Sequence, residues 1–314
     1  MNRLHIIVGL LLAASSLAIA ANQAAPPELA PLKPRLTHNN AGQISSINLT
    51  NAKNVSDKQL AALTKLPSLR RLWLGWTVIN DAGMEHIKTL TKLQTLQLIT
   101  GDASTPHLAK MSDLRVLNLG RSPITDKGLA QLSSLGKLQT LVLSSTKITG
   151  KGLASLAGMG DLEILRLEFL DIGDDDLRNL AGLKKLTHLH LLGSNVTTGG
   201  AAKLKTALPQ TIIYPDPIQI TSLQLGQWRI DDDDLKRLGS LKRLRFLAIN
   251  ATQITDAGLA ALKIHTSLES LNLANTRITD AGIEHLSALT KLRWLSLYGT
   301  PIGDKGLATI AKLG

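Results

Sequence analysis

Residues 268–283 read LESLNLANTRITDAGI, and residues 292–307, 24 positions later, read LRWLSLYGTPIGDKGL. Both stretches follow one frame, with apolar residues at the first, fourth, sixth and eleventh positions and a glycine at the fifteenth. Eleven copies of this frame, most of them 24 residues apart, start at Ile44, Leu69, Leu93, Leu114, Leu138, Leu162, Leu186, Ile220, Leu244, Leu268 and Leu292. Repetition at this period indicates a stack of small units rather than one globular core.

Each copy of the frame combines a strand pattern with a helix pattern. Apolar residues two apart, such as Leu271 and Leu273, predict a short strand with one buried face. The Ile-Thr-Asp that follows predicts a turn in which Thr or Asp accepts a backbone N–H at a helix start, and Gly258-Leu259-Ala-Ala-Leu262 has helical spacing. About six Leu or Ile side chains per copy, each worth roughly 1.5–3 kcal/mol when buried, stabilise a stack but not a single copy.

The frame L-x-x-L-x-L-x-x-T-x-I-T-D-x-G-L-x-x-L resembles the leucine-rich repeat family over residues 44–314, nearly all of the chain after its leader. It is most similar to the cysteine-containing subtype of F-box receptors and ribonuclease inhibitors. Threonine stands where that subtype has cysteine, at Thr77, Thr146, Thr252, Thr276 and Thr300. The resemblance implies an α/β solenoid, a right-handed arc with parallel strands on its concave face and helices on its convex face. It also implies that partners dock on the concave face.

Two irregular copies predict where the array changes. In the 21-residue copy that starts at Leu93, Pro106 suits the first turn of an abbreviated helix. Residues 211–214 keep a strand-like run that Pro215 and Pro217 end, which predicts a strand-only half repeat over 210–217. This half repeat separates a first sub-array (43–209) from a second sub-array (218–314). The last copy has no polar capping segment, so we expect its end to permit self-association.

The first 42 residues predict an exported protein. Arg3, the apolar stretch from Ile6 and the Ala18-Ile19-Ala20 site are typical of a signal peptide over residues 1–20, with a retained membrane anchor as the alternative. Four prolines within residues 21–42 predict a disordered or extended linker. We therefore expect a periplasmic or secreted bacterial protein with no membrane span once the signal peptide is cleaved.

Composition and motifs argue against catalysis. The chain has no cysteine, which excludes disulfides, thiolate metal sites and a thiol nucleophile. His188 and His190 share a strand face but lack a clear third metal ligand, so surface histidines are the better interpretation. The acidic runs 174–176 and 231–234 stand at helix starts, where capping explains them better than calcium binding. The sequence predicts no enzyme, no cofactor and no metal.

Aromatic residues concentrate at the variable strand positions, which hold six of the chain's eight aromatic side chains. Exposed aromatic clusters mark contact surfaces; the alternative interpretation is that the rings fill the sheet surface and stack on one another. Arginines at neighbouring positions favour a partner that bears carboxylates. The predicted partner-binding residues are Arg71, Trp73, Trp76, Arg121, Arg166, Phe169, His190, Phe246, Trp294 and Tyr298.

Three binding functions remain open from the sequence. The leading hypothesis is a non-enzymatic module of a bacterial envelope or secretome that binds an acidic protein or peptide on its concave face. The alternative is a binder of anionic glycan or envelope polymer, whose binding would fall steeply with added salt and would not depend on the aromatic residues. A ubiquitin-ligase type of substrate receptor ranks third because no F-box-like segment precedes the repeats. We do not expect a nucleic-acid partner, since the leader predicts export.

Overall fold

Parallel strands stacked in chain order form two sheets. The computed structural model describes residues 22–50, 52, 54–214, 220–226 and 230–312, with the side chains of Trp76 and Ser240 left undescribed. The first sheet runs in the order β1 to β9 and the second in the order β10 to β13. The strands are β1 (Arg35–His38), β2 (Ile44–Asn48), β3 (Arg71–Val78), β4 (Thr95–Ile99), β5 (Val116–Asn118), β6 (Thr140–Val142), β7 (Ile164–Arg166), β8 (His188–His190), β9 (Ile212–Tyr214), β10 (Ser222–Gln224), β11 (Phe246–Ala248), β12 (Ser270–Asn272) and β13 (Trp294–Ser296).

The register of both sheets follows the sequence frame. Leu117 lies opposite Leu141 and Leu247 opposite Leu271, so the fourth frame positions of successive copies pair directly. These leucines are buried, and together with the sixth-position leucines they form a continuous apolar layer under each sheet. Every pair from β2 to β9 and from β10 to β13 is parallel. The α/β solenoid of leucine-rich repeats is confirmed.

Short helices return the chain from one strand to the next. Thr105–Leu108 is the abbreviated helix expected around Pro106, and Ile212–Tyr214 is the strand expected in the half repeat. The α-helices are α1 (Asp57–Leu63), α2 (Asp81–Ile87), α3 (Thr105–Leu108), α4 (Asp126–Gln131), α5 (Thr198–Ala207), α6 (Asp232–Lys236), α7 (Asp256–Leu259), α8 (Asp280–Ile283) and α9 (Asp304–Ile310). Tighter 3₁₀ helices span Pro27–Leu32, Asp102–Ser104, Gly150–Gly158, Asp174–Leu180, Arg237–Ser240, Ala260–Ile264 and Glu284–Ala288.

The N-terminal segment is ordered, so the predicted linker over 21–42 was wrong for the described residues from 22 onward. Pro27 begins a 3₁₀ helix, in keeping with the preference of proline for a first helical turn, and this helix buries Leu29 completely. β1 pairs antiparallel with β2 and covers the edge of the first parallel strand. The segment therefore caps the first sub-array. The predicted signal peptide lies outside the described residues.

The described residues contain no helix that is long and apolar enough to cross a membrane. In the last repeat, Leu295 and Leu297 are only half-buried, and Leu307 of α9 is 56% exposed. The corresponding leucines of the preceding repeat, Leu271 and Leu273, are fully buried. Self-association through this end stays a prediction.

A ladder of carboxylates joins neighbouring repeats on the helix side. The Asp256 carboxylate accepts two bonds from the next repeat, from the backbone N–H of Thr279 (2.8 Å) and from its hydroxyl (2.6 Å). The same pair of bonds recurs between Asp102 and Thr125, Asp126 and Thr149, Asp174 and Thr197, and Asp232 and Thr255. Thr279 also caps its own helix weakly, at 3.3 Å from the N–H of Ala281. The threonine capping expected from the sequence is therefore present, but the aspartate bonds across repeats rather than within its own.

The frame glycine gives this carboxylate its space. A Cβ atom on Gly282 would lie 2.2 Å from the Asp256 Oδ1, and one on Gly258 would lie 2.3 Å from the Asp232 Oδ1. Such contacts are far shorter than van der Waals separation. The Thr-Asp-x-Gly signature thus encodes one contact between repeats, in which aspartate and threonine supply the bonds and the next glycine leaves room.

A buried histidine interrupts the helix-side core. His265 is fully buried where other copies hold leucine or methionine, including Met159, Leu241 and Leu289. Its Nδ1 lies 3.2 Å from the Leu241 carbonyl oxygen, but its Nε2 has no partner within the described residues. Burial, the largest effect, holds the pKa of His265 below its ordinary value.

We expect His265→Leu to raise the free energy of unfolding by about 1–3 kcal/mol, because leucine removes an unsatisfied buried nitrogen. Because the pKa of His265 is lower in the folded protein, the unfolded protein takes up a proton more readily as the pH falls through about 6.5, the unfolded pKa. The free energy of unfolding of the wild type therefore falls in that range. The advantage of the leucine variant should therefore grow between pH 7.5 and pH 5.5 in urea unfolding. A pH-independent gap, or a less stable variant, would show that the Nε2 atom is satisfied.

Candidate functional site

The outward side chains of the strands form a surface that we call the strand face. Because strands of successive repeats pair in register, the third and the fifth frame positions each form a row across the sheet. The third-position row is Ser46, Arg71, Thr95, Val116, Thr140, Ile164, His188 and Ile212, then Ser222, Phe246, Ser270 and Trp294. The fifth-position row is Asn48, Trp73, Gln97, Asn118, Val142, Arg166, His190 and Tyr214, then Gln224, Ala248, Asn272 and Ser296.

Three predicted aromatic residues are exposed on the second sub-array. Phe246 is 42% exposed, Trp294 is 52% exposed and Tyr298 is 79% exposed. Phe246 and Trp294 lie in one row on either side of Ser270, so two strand spacings, about 10 Å, separate their backbones. The rings are thus presented to solvent with a serine between them in the row.

An arginine is fixed beside these rings. Arg245 bonds both oxygens of Glu269, at 2.8 Å from Nε and 2.7 Å from Nη2, and this pairing lowers the pKa of the Glu269 carboxyl. Its guanidinium carbon also lies 5.5 Å from the centre of the Phe246 ring. This part of the strand face therefore combines apolar rings with oriented N–H donors.

On the first sub-array, the predicted residues near β3 are divided. Arg71 is exposed and Trp73 is half-buried beside Gln97 of the next strand. The side chain of Trp76 lies outside the described part of the chain. These residues are some distance along the row from the predicted residues of β7 and β8, so the sequence-predicted set does not form one cluster.

A buried carboxylate organises the face at β7 and β8. Glu168 is 4% exposed and accepts bonds from the Ser144 hydroxyl and from Arg166, at 2.9 Å from Nε and 2.6 Å from Nη2. His190 Nδ1 lies 3.8 Å from the same carboxylate. Burial outweighs this carboxylate and holds the pKa of His190 below its ordinary value. Arg166 and His190, both predicted, are therefore brought together by a residue that the prediction did not include.

The two strand histidines stack on an edge tyrosine. The His190 ring centre lies 5.0 Å from that of Tyr214, and the His188 ring centre lies 6.1 Å from it. Across the described residues, no three His, Asp or Glu side chains group as a metal site requires. The pair therefore contributes to an aromatic surface at β9, where Tyr214 and Ile212 are exposed.

Phe169 does not belong to the accessible strand face, so its prediction as a partner-binding residue was wrong. It is 2% exposed and packs into the core of the second sub-array with residues such as Leu225. Leu192 packs against the same core from the first sub-array. We call this contact the joint. The ring turns inward because the second sub-array covers it, which the frame position alone does not indicate.

A carboxyl group with a raised pKa lies in α6. Asp234 of α6 is buried, and burial together with the nearby charge of Asp231 raises its pKa to about 6. The positive charges of Arg121 and Arg237 act in the opposite direction. Arg121 was predicted to bind a partner, and the structure places it in the lining of a hollow on the strand face.

A hollow of about 210 Å³ opens on the strand face between β3 and β7. The prediction missed most of its lining and contained only Arg121 and Arg166. The lining residues are Gly75, Gln97, Leu98, Ile99, Asn118, Gly120, Arg121, Val142, Ser144, Ser145 and Arg166. Small residues at the seventh frame position, Gly75, Gly120 and Ser144, were the sequence signal that could have revealed it.

The repeats match a known family model. The model described as Leucine Rich repeat matches residues 110–133, 137–157 and 265–287, each about one repeat long. These matches show leucine-rich repeats in the three segments. Among curated proteins, none matches the sequence.

Several solved structures match this chain over most of its length. The internalin inlF from Listeria monocytogenes is 22% identical, with a TM-score of 0.41 over 91% of this chain and 92% of that chain. Internalin C2 from the same organism is 24% identical, with a TM-score of 0.24 over 85% and 83%. The ectodomain of the Arabidopsis thaliana receptor kinase GASSHO1/SCHENGEN3, in complex with CASPARIAN STRIP INTEGRITY FACTOR 2, is 16% identical, with a TM-score of 0.35 over 88% and 44%. At such identities and TM-scores, this likeness says nothing about what the chain binds.

Proposed function

We propose that this chain, whose repeats are leucine-rich repeats, binds a protein or peptide through its strand face and catalyses no reaction. The observation that carries the proposal is the exposure of Phe246 and Trp294 in a row that the core does not use. The strands β10 and β12 hold serine at the same frame position, Ser222 and Ser270, so the fold does not require a ring there. Large exposed rings are the side chains that concentrate binding energy at protein interfaces.

The chemistry around the rings favours a partner with apolar and acidic side chains. Arg293 precedes Trp294 and is exposed, and Arg245 is held beside Phe246 by Glu269. Guanidinium groups bind carboxylates and stack on planar groups. We further infer, from the signal-peptide pattern of residues 1–20, that this binding takes place in a bacterial envelope or outside the cell.

The proposal is tested with Phe246→Ser/Trp294→Ser, which copies the residues of the neighbouring strands. Crosslinking and pull-down from envelope and medium fractions of the source cells should yield a protein that the double variant fails to retain. With that protein purified, we expect the dissociation constant to rise roughly 100-fold, because two anchoring rings are lost. Calorimetry gives the constant.

The matched control is Ile264→Ser, which removes a 49% exposed apolar side chain that is not on a strand. It should leave the dissociation constant unchanged. Equal binding by the double variant and the wild type would overturn the proposal. Retention of only an anionic polymer, lost steeply with added salt and indifferent to the rings, would establish the glycan alternative instead.

A further inference from the structure

The hollow between β3 and β7 is shaped by backbone as well as by side chains. Gly75 has a φ of +63°, and a Cβ atom there would lie 2.6 Å from the carbonyl oxygen of Thr50. Leu98, Ile99 and Val142 make the apolar part of its lining. Because the sheet register fixes these positions, the hollow exists before any partner arrives, which reduces the entropy lost on binding.

The volume of the hollow indicates which kind of ligand it receives. Pockets for small molecules usually measure about 300–1,000 Å³, and this one measures about 210 Å³. The hollow is thus smaller than the usual small-molecule pocket, and we take an aliphatic side chain projecting from an extended segment as its occupant. The hollow opens on the strand face. An extended segment that crosses this face would place one of its side chains in the hollow.

The polar part of the lining favours an acidic neighbour for that side chain. Two arginines and no carboxylate line the hollow. Glu168 holds Arg166 in place through two nitrogens, and Arg121 lines the same hollow. Gln97 and Asn118 add side-chain amides, whose N–H groups are able to donate to a peptide carbonyl. Oriented N–H donors around an apolar floor match a carboxylate beside an aliphatic side chain.

We propose that the hollow is a specificity pocket that receives one aliphatic side chain of an extended partner segment, with an adjacent acidic residue bound by Arg121 and Arg166. This inference rests on the proposed function, since it names the segment that the partner offers. It concerns the first sub-array, whereas the exposed rings of the proposed function lie on the second.

The probes are seven-residue peptides with the sequence Ser-Gly-Asp-Xaa-Asp-Gly-Ser, carrying Leu, Ser or Trp at the central position. A fourth peptide has Lys on both sides of Leu. One buried side chain and one carboxylate contact correspond to a dissociation constant on the order of 1 mM. Methyl-labelled protein reports the site, because the resonances of Leu98, Ile99 and Val142 should shift on titration while those of Ala248 should not.

We expect the Asp-Leu-Asp peptide to bind about tenfold more tightly than the Ser, Trp and Lys peptides. Val142→Trp fills the hollow and should abolish its binding, and β3 already carries Trp73 at that frame position. Ala248→Trp is the matched control at the same frame position of β11, and it should bind as the wild type does.

Two results would overturn the pocket. One is the absence of saturable binding of the Leu peptide up to about 5 mM, several times the expected constant. The other is equal binding by Val142→Trp and Ala248→Trp. The ring variant Phe246→Ser/Trp294→Ser should still bind the Leu peptide. If the ring variant loses a partner protein but no Leu peptide binds, the proposed function is supported and the pocket is rejected.

Discussion

Phe169→Ala is expected to lower the free energy of unfolding by about 3–5 kcal/mol, the usual range for truncating a buried phenylalanine. The ring is 2% exposed and joins a residue of the first sub-array to the core of the second. Its removal leaves a cavity at the joint, where Leu192 also packs. Urea unfolding followed by circular dichroism and by tryptophan fluorescence measures the change.

The loss should also separate the transitions of the two sub-arrays. A solenoid is held together by contacts between neighbouring units, and the sheet does not continue from β9 to β10, so contacts such as those at the joint link the two sub-arrays. We expect the two probes to give coincident midpoints for the wild type and different midpoints for Phe169→Ala.

The control is Phe246→Ala, which truncates the same residue type at a 42% exposed position. It should change the unfolding free energy by less than about 1 kcal/mol. If Phe169→Ala had an equally small effect and instead weakened partner binding, the ring would belong to the strand face, as its frame position suggested.

Much of the fold could be predicted because the frame specifies local structure. The fourth and sixth apolar positions, as in Leu271 and Leu273, fix which strand face is buried, and copies of equal length fix the register. Pro106 and the strand at 212–214 were predicted from local backbone chemistry in the same way. These features depend on residues close together in the chain.

The features that the sequence did not predict depend on contacts between residues that are distant in the chain. Phe169 stands at the eighth frame position, as the partly accessible Arg121 does. It is buried because the core of the second sub-array packs against it. The N-terminal prolines looked like a linker because their composition does not reveal that Leu29 fills the open end of the core. The hollow was missed because it lies between repeats, where no single copy displays it.

The candidate site also has one part that the sequence predicted and one part that it did not. The exposure of Phe246, Trp294 and Tyr298 was predicted from their frame positions and is confirmed. The arrangement of Arg166 and His190 around Glu168 was not predicted, because a carboxylate at the seventh frame position looked like an ordinary surface charge. Burial of that carboxylate is possible because Ser144 of the preceding repeat and Arg166 both donate to it.

The ladder between repeats should be the other large contributor to stability, and a double-mutant cycle measures it. Asp256→Ala removes two bonds from Thr279 to a carboxylate, each worth about 1.5–3 kcal/mol, so we expect a loss of about 3–5 kcal/mol. Gly282→Ala should also destabilise, by about 1–3 kcal/mol, because its Cβ would meet the Asp256 Oδ1.

The two changes together should be far less harmful than their sum. Without the Asp256 carboxylate, the Cβ of Gly282→Ala occupies vacated space, and alanine favours helix over glycine by about 1 kcal/mol. We therefore expect a coupling of at least about 2 kcal/mol in urea unfolding. Hydrogen exchange adds a local measurement, since the Thr279 amide should exchange faster in both Asp256→Ala backgrounds.

Asp304→Ala is the matched control for this cycle, because Asp304 begins α9 at the same frame position and is exposed. It should change the unfolding free energy by no more than about 0.5 kcal/mol. Additive effects of Asp256→Ala and Gly282→Ala would mean that the aspartate and the glycine act separately. Strong coupling would mean that the aspartate of one repeat and the glycine of the next repeat form a single contact, as the recurring Thr-Asp-x-Gly signature indicates.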